Sequence, residues 1–309
     1  MTRRYNAEQC CHRCDAQKHN PELSAWDPSA GAAWRGTLTT TAAFRGLLPA
    51  DMPLCQFPGF SIKWLKADVM HCLHLGLCQH LVACTLLELC QAHTFTTVPR
   101  NSSLKRKLRA AWHAFKIWCR RHRIEHSQPE FTPARCGIKG TQSPCMLSYA
   151  AKAHNTRIVC AWLAEACMSS PDVTTFAGRL RASCNFSFAQ FSFLLDCSRR
   201  YLDEQPVHMQ NMISAGYDFF YAYRALHVRA RRLHIKRWAL IPKFHAFMHC
   251  LEDMMVLCYS ARYHTWYKEE DFVGCMGRIA AACHASAVGL RTLQLWWLGI
   301  RIRLGDLQL

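Results

Sequence analysis

Aspartate, histidine and cysteine residues recur at helical spacings in the otherwise apolar stretch from Trp64 to Cys90. A helix would place His71 and Cys72 on the face of Asp68, and His74 on the face of His71. Such polar side chains need partners if they are buried, and a metal ion or a reacting group can supply one. A solvated helix start explains the spacing equally well, with Asp68 as the N-terminal cap and the histidines facing water.

A second group of candidate metal ligands lies near the N-terminus, in the sequence QCCHRCDAQKH. Cys11 and Cys14 have the spacing of one half of a zinc site. Folding would have to supply the other half from His19, His71, Cys72 or His74. The candidate ligands of a structural Zn²⁺ are therefore Cys11, Cys14, His71 and His74, and the alternative is a reduced pair of surface cysteines.

His245 and His249 also have ligand spacing, because residues four apart share one face of a helix. No glutamate follows His245 directly, so the pair does not match the zincin pattern. A buried or hydrogen-bonded histidine pair is the favoured interpretation of these two residues.

Three segments, in this order, resemble those of eukaryotic cut-and-paste transposases, most closely the CACTA-like and Plavaka-like types. DVMHCLHLG resembles their Asp/Cys-x-x-His motif, and PKFHAFMH (Pro242 to His249) resembles their Pro-Lys-x-His segment. KEEDFVGCMGRIAAACH (Lys268 to His284) resembles the segment that carries their last catalytic acid, here Glu270. The resemblance implies an RNase H-like ancestry, DNA as the substrate, and catalytic roles for Glu270, Asp68 and His71.

The resemblance also implies two metal ions, Mg²⁺ or Mn²⁺, held by three carboxylates. In that family two aspartates lie on strands upstream of the Asp-x-x-His motif. No acid before Trp64 lies in an apolar, strand-like run; these acids are Glu8, Asp15, Glu22, Asp27 and Asp51. We therefore expect a catalytically incomplete polypeptide, which binds Mg²⁺ or Mn²⁺ only if the missing parts are supplied.

The charge balance favours a polyanionic partner. Lys and Arg number 38 against 21 Asp and Glu, which gives a net charge of +17. A helix after Ser102 or Ser103 carries much of this charge on one face, and further basic residues follow it. The candidate phosphate contacts are Lys105, Arg109, Lys116, Arg120, Arg123, Lys152, Arg157, Arg231 and Arg232. DNA is the expected partner and the nucleus the expected location, although a solvated basic face is the commoner meaning of such a stripe.

The predicted fold is mainly α: the helical insertion and C-terminal part of an RNase H-like α/β transposase core, with at most a small sheet remnant near residues 55–68. Residues 1–60 form a Cys-rich irregular segment, and residues 61–309 form the helical domain. No uninterrupted apolar run is long enough to predict a membrane span, and a homo-oligomer is compatible with the sequence. The alternative is a helical, zinc-stabilised nucleic-acid-binding module of other origin.

Overall fold

The chain is described here by a computed structural model, which covers residues 7–46, 52–53, 57–138, 147, 152–265 and 267–303. It divides into two compact units, Met1–His264 and Thr265–Leu309. Within the described ranges every named element is helical, and the only β pairing consists of isolated bridges such as that of Tyr201 with Tyr259. The mainly α prediction is confirmed, and the described part of the expected sheet remnant, residues 57–68, contains only turns and a short 3₁₀ helix.

Most of the described residues of the first unit lie in helices joined by irregular segments. Its helices are α1 (Thr41–Gly46), a π-helical segment (Met70–Leu77) that continues as α2 (Cys78–Gln91), α3 (Leu104–Arg121), α4 (Ala153–Met168), α5 (Phe176–Cys197), α6 (Pro206–Arg232) and α7 (Pro242–Leu257). Short 3₁₀ helices lie at Ala33–Thr37, Ile62–Trp64 and Ala261–His264. The second unit contains α8 (Tyr267–Ala281), a 3₁₀ turn (Ala285–Ala287) and α9 (Val288–Arg303).

Local chemistry explains where several helices begin. The hydroxyl of Ser103 accepts a hydrogen bond from the Arg106 amide at the start of α3, and that of Thr175 accepts one from the Gly178 amide at the start of α5. Pro206 and Pro242 occupy the first positions of α6 and α7, where the missing amide proton is not needed. These boundaries fix the register of the helices that carry the candidate sites.

The continuous helix Met70–Gln91 lies at the centre of the first unit. By length and composition it is apolar enough to cross a membrane, and 89% of its most apolar window is buried inside the protein. The π-helical segment packs against α4 and α7, and α2 packs against α3 and α4. The apolar composition is thus used to build the core.

One buried ion-pair network ties this central helix to α5. Arg181 is 1% exposed, and its guanidinium lies 3.3 Å from Glu88 of α2 and 2.5 Å from Asp172. Glu88 also accepts a hydrogen bond from the Trp238 indole at 2.9 Å. Because each buried charge has opposite charges beside it, the network avoids the large penalty of an isolated buried ion.

Candidate metal centre

Four buried side chains converge in the first unit and aim one ligand atom each at a common point. They are Cys11, Cys14, His245 and His249, and their ligand atoms all lie within 4.8 Å of one another. Cys14 Sγ lies 3.1 Å from His245 Nε2 and 3.6 Å from His249 Nε2, and Cys11 Sγ lies 3.4 Å from His249 Nε2. A tetrahedral zinc ion places S and N ligands about 3.3–3.8 Å apart. The four atoms are therefore close to the arrangement that such an ion requires.

Helix α7 supplies the two histidines. His245 and His249 are one helical turn apart, so both rings leave the same face of α7. Their ring centroids are 4.7 Å apart, and both rings contact Trp34 edge-on, at centroid distances of 4.6 Å and 5.1 Å. Trp34 is fully buried and its indole nitrogen donates to the Asp27 carbonyl at 2.9 Å. This tryptophan packs the loop against α7 and restricts the orientation of both imidazoles.

The two cysteines come from the irregular N-terminal segment, which is fastened to α7 beside them. Arg13 lies between the cysteines in sequence and makes a two-pronged ion pair with Asp253, with both N–O distances 2.8 Å. Its backbone amide also donates to Cys11 Sγ at 3.2 Å. Lys66 approaches the same carboxylate at 3.0 Å. These contacts hold the Cys-x-x-Cys loop against the helix that carries the histidines.

Each histidine has a second polar neighbour behind it. His245 Nδ1 lies 3.2 Å from the carbonyl oxygen of Ala25, and His249 Nδ1 lies 3.3 Å from Glu252 Oε2. Metal-binding histidines usually present one nitrogen to the metal and the other to a carbonyl or carboxylate, which sets the tautomer and raises the basicity of the ligand. Both Nε2 atoms are therefore left to face the cysteine sulfurs.

The electrostatics of the cluster favour the ligand forms of these side chains. The hydrogen bond from Cys14 lowers the pKa of Cys11 far below its ordinary value, and His245 and His249 add to this against the opposing effect of burial. The Cys11 sulfur and burial in turn raise the pKa of Cys14. Burial lowers the pKa of His249, which keeps this imidazole neutral. One thiolate and one neutral imidazole are thus favoured before any ion binds, and a cation would draw off the second thiol proton.

The cluster forms a closed set of two sulfur and two nitrogen donors. All four residues are buried, so the arrangement leaves no exposed coordination position for a substrate. This is the donor set of a structural site rather than of a catalytic one. Comparison with protein-family models, with curated proteins and with solved structures finds no match to this chain.

The structure brings together two of the four residues that the sequence suggested as metal ligands. Cys11 and Cys14 belong to the cluster, whereas His71 and His74 do not. His74 is buried in the π-helical segment, with its ring edge-on to Phe188 at 6.2 Å. The other two ligands are the histidines that the sequence favoured as a buried pair. Their four-residue spacing was the available signal, but nothing in the sequence joins them to cysteines 231 positions away.

The Asp68 motif forms a helix start. One Asp68 oxygen accepts a hydrogen bond from the Met70 amide and the other accepts one from the His71 amide, both at 3.1 Å. His71 Nδ1 lies 2.5 Å from the same carboxylate. This geometry matches the N-terminal cap that one interpretation of the spacing gave to Asp68. The same interpretation expected the histidines to face water, and it is wrong for His74: the His71 side chain is 40% exposed, whereas His74 is buried.

The Leu-Gly step that follows is shaped by α7. Leu75 departs from helical geometry, with φ −95° and ψ 17°, and the Lys243 ammonium donates to its freed carbonyl oxygen at 3.0 Å. A Cβ atom on Gly76 would lie 2.6 Å from Lys243 Cδ and 3.0 Å from the His71 carbonyl. Two of the three segments that resemble the transposases therefore pack directly on each other. The side chain of the third candidate, Glu270, lies outside the described residues.

Most candidate phosphate contacts lie on the surface. Lys105, Arg109, Arg120 and Arg123 are exposed on or just after α3, and Lys116 is half-buried there. The remaining candidates lie elsewhere in the first unit: Lys152 and Arg157 at the start of α4, and Arg231 and Arg232 at the end of α6. Arg157 forms an ion pair with Asp196, which satisfies its charge within the protein. Helix α3 thus carries the largest group of exposed candidates.

Proposed function

We propose that this protein binds nucleic acid through the exposed face of α3, on a helical body that a zinc ion fastens to the N-terminal segment. The charge distribution of α3 carries the proposal. The helix contains seven Lys and Arg residues and no Asp or Glu. Its opposite face is buried through Leu108, Ala111, Phe115 and Cys119.

This face is cationic and largely unneutralised. Lys105, Arg106, Arg109, Arg120 and Arg121 are all exposed. Within the described part of the chain, Arg109 is the one member of this group with a carboxylate nearby, Glu130 at 3.7 Å. Each such residue that meets a backbone phosphate releases counterions, which gives affinity without a sequence preference. A rigid helix that displays several of them at once is suited to a phosphate backbone.

Zinc is the ion that the donor set favours. Two thiolates and two imidazoles in a tetrahedral arrangement suit Zn²⁺ better than the hard cations Mg²⁺ and Ca²⁺, which prefer oxygen ligands. The site joins residues 11 and 14 to α7, and so closes the N-terminal segment onto the core. We assign it a structural role.

The salt dependence of binding to a 20-base-pair DNA duplex tests the nucleic-acid part of the proposal. The double variant Lys105→Gln/Arg120→Gln should weaken binding and reduce the slope of log K against log salt by about 2, because two phosphate contacts are lost. Arg199→Gln/Arg200→Gln removes the same charge from an exposed loop after α5 and is the matched control. Equal effects of the two double variants would mean that net charge, and not α3, binds the DNA.

We also propose that this chain descends from a transposase of the type that its three segments resemble. The order of the three segments supports it, and the contact between Lys243 and Leu75 is compatible with it. On this account the chain binds DNA but does not cut it, since it lacks recognisable partners for Glu270. Incubation with DNA and Mg²⁺ or Mn²⁺ should give no cleavage. Cleavage that disappears in Glu270→Gln would contradict the account.

A nucleic-acid-binding module of other origin remains the alternative, and the zinc site and the basic helix suit both origins. The two differ in one distance, since the transposase ancestry expects the carboxylate of Glu270 to lie near Asp68 and His71. A crystal structure that places Glu270 far from both would favour the alternative.

A further inference from the structure

We propose that a groove between the start of α5 and the C-terminal half of α6 binds single-stranded nucleic acid. The bases of the strand stack on Phe176 and Tyr221, and its phosphates contact Arg224, Arg229 and Arg232. The groove has a volume of about 560 Å³, and these five residues line it with Ala225 and Val228. The inference rests on the proposed nucleic-acid-binding function, and it adds a surface separate from α3 with a different preferred ligand.

Two aromatic rings are held open to solvent in this groove. Phe176 is 64% exposed and Tyr221 is 49% exposed. Neither ring contacts another aromatic ring in the part of the chain that the structure describes. Both belong to regular helix: Phe176 is the first residue of α5, directly after the Thr175 cap, and Tyr221 lies within α6. Exposed rings on regular helices offer π faces on which unpaired bases stack.

The arginines follow Tyr221 along the same side of α6. Residues 221, 224, 228 and 232 recur every three or four positions along α6, residue 229 lies beside 228, and all five line the groove. Eleven residues of helix correspond to about 16 Å, so the row extends over several turns. Among the described residues that line the groove there is no carboxylate. Arg224 lies 3.7 Å from Asp27 at the edge, and its side chain remains 42% exposed.

Two half-buried carboxylates near Arg229 are already paired with another arginine. Arg229 also lines a neighbouring cavity that contains Glu88 and Asp172. Both of these acids are held by Arg181, at 3.3 Å and 2.5 Å. Arg229 and Arg232 therefore keep their charge for a ligand.

A structural role explains only part of this arrangement. Arginines in the last turn of a helix stabilise its negative end, which accounts for Arg229 and Arg232. It does not account for the two exposed rings that face the same groove, and the ion pair with Asp27 leaves the Arg224 side chain 42% exposed. Charge with interleaved aromatic rings is the combination used to bind single strands, whose bases are free to stack. A duplex keeps its bases paired and would gain little from the rings.

Binding of the full chain to fluorescently labelled dT₂₀, to rU₂₀ and to a 20-base-pair duplex, followed by anisotropy, tests the proposal. Phe176→Ala and Tyr221→Ala should each weaken binding to the single strands by about 5- to 150-fold, the usual effect of losing one base stack. Duplex affinity should stay within about twofold of the unchanged protein. Phe176→Tyr and Tyr221→Phe keep a ring and should restore single-strand binding. Loss of affinity for dT₂₀, for rU₂₀ or for both supports binding in the groove. The single strand that the unchanged protein binds more tightly identifies DNA or RNA as the ligand.

Phe193→Ala is the matched control, because Phe193 is 66% exposed on the same helix α5 and lies outside this groove. Equal weakening by Phe193→Ala, or unchanged single-strand affinity in both groove variants, would overturn the proposal. In that event, duplex binding that still depends on Lys105 and Arg120 would leave the proposed function intact. Failure of the unchanged protein to bind any of the three polymers would overturn both.

Discussion

The metal centre and the Asp68 motif contain similar residue types but use them differently. The four residues of the metal centre come from two segments about 230 positions apart, and each is at most 6% exposed. In the Asp68 motif, the carboxylate is bonded within its own first helical turn, and the His71 side chain is 40% exposed. Local spacing in the motif leads to local partners, whereas the metal centre depends on long-range folding. Convergence of distant residues is thus the stronger indication of a site.

The largest difference should appear when one side chain of the metal centre is removed. Cys14→Ser should lower the free energy of unfolding by at least about 3 kcal/mol and the melting temperature by roughly 10 °C, because the free energy of binding a structural metal is part of folding stability. Differential scanning calorimetry measures both.

Cys10→Ser is the matched control, since Cys10 is adjacent in sequence, only half-buried, and outside the cluster. Burial raises the pKa of the Cys10 thiol to about 11, as expected of a protonated side chain. We expect Cys10→Ser to change the melting temperature by only a few degrees. A loss of stability equal to that of Cys14→Ser would contradict the role given to the cluster.

Removal of the Glu252 carboxylate behind His249 should have a smaller effect: it should weaken zinc binding without emptying the site. Glu252→Gln keeps the shape of the side chain but removes the charge that supports the His249 ring, so zinc affinity should fall by about 10- to 100-fold. Competition with a chromophoric chelator measures this change. Glu165→Gln, at an exposed position on α4, should leave the affinity unchanged. An unaltered affinity in Glu252→Gln would mean that His249 is oriented by the Trp34 packing alone.

His74 should give the Asp68 region its own pH dependence. Burial, with a smaller effect from Arg157, holds the pKa of His74 well below its ordinary value. Below about pH 6.5 the unfolded chain therefore binds a proton at His74 that the folded chain does not, and stability falls as the pH falls. In urea unfolding at pH 7.5, 6.5 and 5.5, the protein should lose up to about 1.4 kcal/mol per pH unit more than His74→Gln. Parallel pH profiles for the two would show that His74 does not remain neutral in the fold.

The Asp68 cap should have the smallest effect. Asp68→Ala should cost about 1 kcal/mol of stability, and Asp68→Asn less, because asparagine keeps an oxygen that accepts the helix amides. Chemical denaturation measures both, and the zinc content should not change. Loss of zinc from either variant would contradict the local role given to the Asp68 carboxylate.

The sequence predicted the helices of this molecule better than it predicted which distant side chains meet in the fold. Helical periodicity and composition indicated a mainly α fold, and Ser103, one of two serines expected to cap α3, does so. Cys-x-x-Cys marked one half of the cluster, because two thiols at that spacing can reach one metal ion. The ligand spacing of His245 and His249 was recognised, but a buried or hydrogen-bonded pair was favoured. The loop–helix contact that joins them to the cysteines involves Trp34, Arg13 and Asp253, and no local pattern shows it. His71 and His74 were chosen as polar residues at helical spacing in an apolar segment, but the structure pairs His71 with the Asp68 cap and buries His74 beside Phe188.

We propose that Cys11, Cys14, His245 and His249 hold one metal ion. Measurement of metal content by mass spectrometry, on the purified protein and on single variants prepared without chelators, tests it most directly. We predict one zinc per chain in the unchanged protein, in Cys10→Ser and in His71→Ala, and none in Cys14→Ser or His245→Ala. Zinc that persists in His245→Ala, or that disappears in His71→Ala, would contradict the claim.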